Sequence, residues 1–145
     1  MWLIELAPLS DPDLVPQAVA QALGVREVPG QPLTEKLVAH LQGRKVLLVL
    51  DNCEHLVEAC AMLSDRLLRS CLELRVLATS RETLSIAGEY TWLVPSLLLP
   101  DRERLAVEEL GRFEAIRLFV ERTRAVRPGF EITEQNARVI AQICQ

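Results

Sequence analysis

A carboxylate that closes a buried β-strand stands at the rim of its sheet, and Leu47-Leu48-Val49-Leu50-Asp51-Asn52-Cys53-Glu54-His55 has that form. Open α/β sheets bind ligands at the carboxyl ends of their strands. A Mg²⁺ ion takes one or two carboxylates along with phosphate oxygens and waters, so Asp51 suits a metal held beside a nucleotide. The same position suits Asp51 or Asn52 as the cap of a helix starting at Glu54, and the two readings stand side by side. A second run, Val76-Leu77-Ala78-Thr79-Ser80-Arg81, ends in two hydroxyls and a guanidinium. If its strand lies parallel to Val46–Leu50, then Thr79, Ser80 and Arg81 share an edge with Asp51, and Arg81 can grip phosphate through bidentate hydrogen bonds. An ion pair with Glu82 or Glu89 is the other reading of Arg81.

Those residues need strands to carry them, and the chain alternates short β-like runs with segments of helical period, the pattern of an α/β fold with a parallel sheet. Trp2–Leu6 reads as a strand. Ser10-Asp11-Pro12-Asp13 opens a helix that ends near Leu23, with Gly24 just beyond it. Leu33, Leu37, Val38 and Leu41 make the stripe of a second helix closed by Gly43. Val46–Leu50 is apolar throughout and is expected mid-sheet with both faces covered. From Glu54 to about Ser70, Leu56, Ala59, Cys60, Leu63, Leu67 and Cys71 trace one helical face. Leu74–Thr79 is the next strand, and Tyr90–Val94 a short one stopped by Pro95. Pro100 and Asp101–Arg104 make a surface connection to helices over Arg112–Val126 and from Thr133, as N-cap, to the end.

Composition narrows the functional classes. The 145 residues carry 16 Lys and Arg against 20 Asp and Glu, a net charge of −4, and no polybasic block, so direct nucleic-acid binding is disfavoured. Half the residues are hydrophobic, enough for one core at this length. No apolar run is longer than Val46–Leu50, far short of the ~20 residues of a membrane span, and the start lacks the features of a secretion signal. A cytoplasmic protein without membrane contact is expected. Cys53, Cys60, Cys71 and Cys144 form no CxxC pair and read as buried free thiols.

Four blocks together resemble one family. Trp2-Leu3-Ile4-Glu5-Leu6-Ala7-Pro8-Leu9, Leu47 to Leu56 through Asp51-Asn52-Cys53-Glu54-His55, Arg75-Val76-Leu77-Ala78-Thr79-Ser80-Arg81-Glu82 and Glu114-Ala115-Ile116-Arg117-Leu118-Phe119 are similar to the STAND class of P-loop NTPases, in particular the NB-ARC-like ATPase domains of bacterial LuxR-type and antibiotic-regulatory transcriptional activators. The resemblance implies a three-layer, parallel-sheet P-loop NTPase-like core lacking its first strand over 1–100, with Walker B and sensor-one strands, and the beginning of a helical subdomain over 101–145. It implies that Asp51 is the Walker B acid holding Mg²⁺ through water and that Thr79, Ser80 and Arg81 are cofactor-binding, with Arg81 facing the γ-phosphate. Asn52 stands where many such ATPases have a second acid and cannot accept a proton from water, so Glu54, or failing it His55, would be the catalytic base. Read without the family, Glu54 is a first-turn carboxylate facing a helix dipole and His55 a capping or surface residue.

The resemblance also implies a Gly-rich Walker A loop, GxxxxGK[ST], ahead of Trp2, and a GLPLA-type motif after Gln145. Neither is in the chain. The loop supplies at least four charge-assisted bonds to phosphate at about 1.5 kcal/mol or more each. Losing about 6 kcal/mol is roughly four orders of magnitude, which turns a micromolar site into one of ~10 mM or weaker. The expectation is a central fragment of a signalling ATPase whose intact parent uses ATP or ADP with magnesium as a conformational switch in transcriptional regulation. Alone, the chain should bind nucleotide weakly or not at all and need no cofactor. In the implied strand order three parallel strands lie in the sequence Trp2, Val46, Leu74, and the Tyr90 strand is short, displaced or unpaired. The alternative is a nucleotide-independent interaction module that takes a protein partner, or a second copy of itself, along the open sheet edge.

Overall fold

The structure, a computed structural model, describes residues 1–99 and 107–144. It divides into two compact units, Met1–Thr91 and Trp92–Gln145. The first holds a parallel three-stranded sheet in the order β1 (Trp2–Glu5), β2 (Val46–Asp51), β3 (Leu74–Ala78), as the sequence predicts. Trp2 pairs with Leu48 and Glu5 with Asp51 on one side of β2, while Val46 pairs with Leu74 and Leu50 with Ala78 on the other.

Local signals set the helices between these strands. Asp11 accepts a hydrogen bond from the Asp13 amide (3.0 Å) and starts a 3-10 turn, Pro12–Leu14, that leads into α1 (Val15–Leu23). At the other end Gly24 takes φ +71°, and the Val25 amide donates back to the Ala20 carbonyl at 2.8 Å. Only glycine adopts that left-handed stop without strain. α2 (Leu33–Leu41) follows, and α3 (Val57–Ser70) connects β2 to β3.

The three helices pack on one another and on a single face of the sheet. Ile4, Leu48, Leu50 and Leu74 are buried there against Val19, Leu37, Leu41, Leu63 and Leu67. The opposite face carries Leu3 (57% exposed), Leu77 (54% exposed) and the half-buried Leu47 and Val49, none of which joins that core. The expected three layers are therefore two in this unit, and Val46–Leu50 is not covered on both faces. The reason lies in the connections: β1 to β2 and β2 to β3 step in the same direction, and right-handed crossovers taken twice the same way put every helix on one side.

In the second unit α4 (Val107–Leu110), α5 (Glu114–Val126) and α6 (Glu134–Ile143) surround Leu110, Ile116, Ala137 and Ile140. Phe119 meets Phe130 edge-on, with ring centroids 6.1 Å apart. The Thr133 amide donates to Asn136 Oδ1 at 2.8 Å, fixing the start of α6. Tyr90–Val94 forms no strand, and Tyr90 and Trp92 are exposed. The Pro100–Arg104 connection and the helix end at Gln145 lie outside the described residues. No described helix is long and apolar enough to cross a membrane.

The two faces of the sheet should respond differently to truncation. Leu48→Ala, in the covered face, is expected to lower unfolding free energy in urea by about 2–5 kcal/mol. Leu77→Ala, on the open face of the neighbouring strand, should cost less than about 1 kcal/mol.

Candidate functional site

Backbone bonds first draw the carboxyl ends of the strands together. The Thr79 amide donates to the Leu50 carbonyl, the Cys53 amide to the Thr79 carbonyl and the Leu6 amide to the Asp51 carbonyl, each at 2.9 Å. This zipper brings Asp51 and Thr79, 28 residues apart in sequence, into side-chain contact. The Thr79 hydroxyl donates to Asp51 Oδ1 at 2.6 Å and accepts from the Asn52 amide at 2.9 Å. One hydroxyl proton can go to only one acceptor, so the two bonds have fixed directions. Asn52 presents its amide to Thr79 from a left-handed turn, φ 68° and ψ 54°, a conformation asparagine tolerates better than most side chains. Among the described residues Asp51 Oδ2 has no protein partner, which leaves that oxygen for a ligand.

The helix after β2 starts later than the periodicity suggests. Cys53–His55 form a 3-10 turn, Leu56 breaks the run at φ −134°, and α3 begins at Val57. Neither Asp51 nor Asn52 caps it: Asp51 bonds Thr79, and neither helical segment has a side-chain cap. His55 is more than a surface residue. Its Nε2 lies 2.8 Å from the Leu9 carbonyl and 3.2 Å from the Leu6 carbonyl, and its Nδ1 lies 3.4 Å from Asn52 Nδ2. Carbonyls only accept, so Nε2 carries the proton, and Nδ1 takes the asparagine N–H with its lone pair. The ring thus ties the turn after β1 to the turn after β2, and the lone pair that could take a proton from water, on Nδ1, is turned to the Asn52 side-chain amide.

Glu54 and Arg81 meet across the edge, Arg81 Nε lying 3.6 Å from Glu54 Oε1. Arg81 therefore pairs with neither Glu82 nor Glu89; Glu89 instead accepts from the Leu84 amide at 3.0 Å. Ser80 Oγ accepts from the Glu82 amide at 3.1 Å, which shapes the turn after β3. Asp51, Glu54, Thr79, Ser80 and Arg81 consequently share one rim. No group of three or more His, Cys, Asp or Glu side chains is placed to hold a metal among the described residues. An ion at Asp51 would thus be held by one carboxylate, with water and phosphate oxygens completing its shell, which suits Mg²⁺ better than Zn²⁺.

All four cysteines are free thiols, three of them buried and Cys144 partly so. Cys53 lies directly under the rim and donates to the Leu50 carbonyl (Sγ to O 3.4 Å). Hydrogen bonding with Cys60, burial, and the negative charges of Glu54 and Asp51 hold the Cys53 thiol protonated far above its ordinary 9.0.

Two outcomes follow from this geometry. Thr79→Val strips the partner from both the Asp51 carboxylate and the Asn52 amide, and should lower unfolding free energy by about 1–2 kcal/mol while Thr79→Ser restores most of it. Burial raises the Cys71 thiol, so Cys71 ionises in the unfolded chain before it does in the folded one, and its contribution to stability is complete below about pH 9 and declines as pH rises further. Urea midpoints measured between pH 8 and pH 10.5 should fall less in Cys71→Ala than in the wild type.

No protein-family profile and no solved structure matches the chain. Over 142 residues, 98% of its length, it is 41% identical to a Mycobacterium tuberculosis protein provisionally named an HTH-type transcriptional regulator, of which it spans 15%. A Mycobacterium bovis protein of the same provisional name matches to the same extent. Over 144 residues, 99% of its length, it is 42% identical to an uncharacterised M. tuberculosis protein, of which it spans 34%. Identity of this order across nearly the whole chain relates it to a segment of longer proteins, some of them named as transcriptional regulators.

Proposed function

We propose that this chain corresponds to the part of a STAND-type regulatory ATPase that faces the metal and the terminal phosphate of ATP or ADP, within a protein that regulates transcription. One observation carries the reading: Asp51 closes β2 with one carboxylate oxygen fixed by Thr79 and the other unengaged, and Thr79, Ser80 and Arg81 close the adjacent parallel strand on the same rim. Asp51 Oδ2 would hold a magnesium ion through water. The ion would neutralise phosphate charge and orient it. Thr79 fixes the carboxylate, and Arg81 binds a phosphate oxygen. The names of the relatives support the regulatory setting, and the chain's net charge of −4 is in keeping with a role for this segment other than gripping a nucleic-acid backbone.

A second reading, a nucleotide-independent interaction module, is favoured by the open sheet face with Leu3 and Leu77. Amide NMR separates the two. Titration with magnesium-ATP should shift Asn52, Thr79, Ser80 and Arg81 together with an apparent Kd of about 10 mM, the affinity expected of a site without a Walker A loop. Asp51→Asn should weaken that response severalfold. Unmoved rim amides, or a response indifferent to Asp51→Asn, would overturn the nucleotide reading in favour of the interaction module.

A further inference from the structure

We infer that Glu54 is a latch for Arg81: the Glu54–Arg81 ion pair holds the guanidinium until a phosphate oxyanion takes it over, so that Glu54 is a positioning residue for phosphate binding and not a base. The inference rests on the nucleotide reading proposed above. Its geometry is asymmetric. Glu54 is only 28% exposed, held in the 3-10 turn beside Asn52 and Cys53, whereas Arg81 is 89% exposed at the end of β3. The anchored partner is the acid and the movable one is the cation.

The contact is also a loose one. At 3.6 Å from Nε to Oε1 it is a charge contact beyond the ~2.9 Å of a strong charge-assisted hydrogen bond. Among the described residues the remaining guanidinium N–H groups of Arg81 have no protein acceptor. A phosphate offers the planar fork two acceptors at once, which one carboxylate oxygen at this distance does not. A phosphate entering the rim therefore exchanges a weak contact for a bidentate one. As long as it faces Arg81, Glu54 has no reason to engage water.

Magnesium-ATP titrations of the whole chain, followed by amide NMR and by the Arg81 Nε–H resonance, test the latch. Glu54→Gln should tighten binding about two- to fivefold, the range expected from release of one exposed ion pair, and should move the free-state Arg81 Nε–H signal toward its nucleotide-bound position. Glu82→Gln removes an equal charge next to Arg81 without touching the pair and should change affinity less than Glu54→Gln. Arg81→Ala should weaken binding and erase the gain from Glu54→Gln. If Glu54→Gln binds no tighter, or Glu82→Gln tightens equally, the latch falls while the nucleotide reading stands. If wild type and both Gln variants leave the rim amides unmoved, both fall together.

Discussion

Crossover direction is the constraint on which the Met1–Thr91 unit depends. Each parallel connection must pass over a sheet face, and chirality of the chain decides which one. Two steps taken the same way commit α1, α2 and α3 to one side, so every large buried side chain of the sheet, from Ile4 to Leu74, comes from the same half of the alternation. Leu3, Leu47, Val49 and Leu77 are left on the other half by the same logic. Their apolar character is therefore not a packing error within the unit; it marks a face that these connections cannot reach.

The same parallel arrangement gathers the chemistry. Strands that all run one way finish at one rim, and the turns that follow them deliver Asp51, Glu54, Thr79, Ser80 and Arg81 to a common edge. What turns proximity into a defined geometry is a short series of hydrogen bonds: His55 to the Leu6 and Leu9 carbonyls, Asn52 to His55, the Asn52 amide to Thr79, and Thr79 to Asp51. Each link orients the next. The Asp51 carboxylate is thus tied through the turn that follows it to His55, whose own anchors lie 46 and 49 positions away in sequence.

Much of this was legible in the residues. Gly24 and Gly43 marked helix ends because each occupies a left-handed stop, and the apolar run closing on Asp51 located both the central strand and the rim. Side-chain periodicity, however, reports which positions are buried, not which carbonyl an amide finds, so it runs Glu54 and His55 of the 3-10 turn into α3. Sequence proximity offers Arg81 the partners Glu82 and Glu89, while its partner is Glu54, which only the pairing of β2 with β3 brings close. Leu47 and Val49 misled for a simpler reason: a strand with one covered face and one apolar open face has the same composition as a strand buried on both. The nature of the ligand was not legible from spacing alone, because an acid at a strand end serves a helix cap as readily as a metal.

The two tryptophans differ in how far the folded chain covers them. Trp2, at the amino end of β1 opposite the strand end that carries Asp51, is 43% exposed, and Trp92 is 79% exposed. Trp92 changes surroundings little on unfolding, so whatever intrinsic emission reports of melting comes from Trp2 at the amino end of the sheet, and backbone circular dichroism is the signal that follows the interior around Leu48 and Leu67.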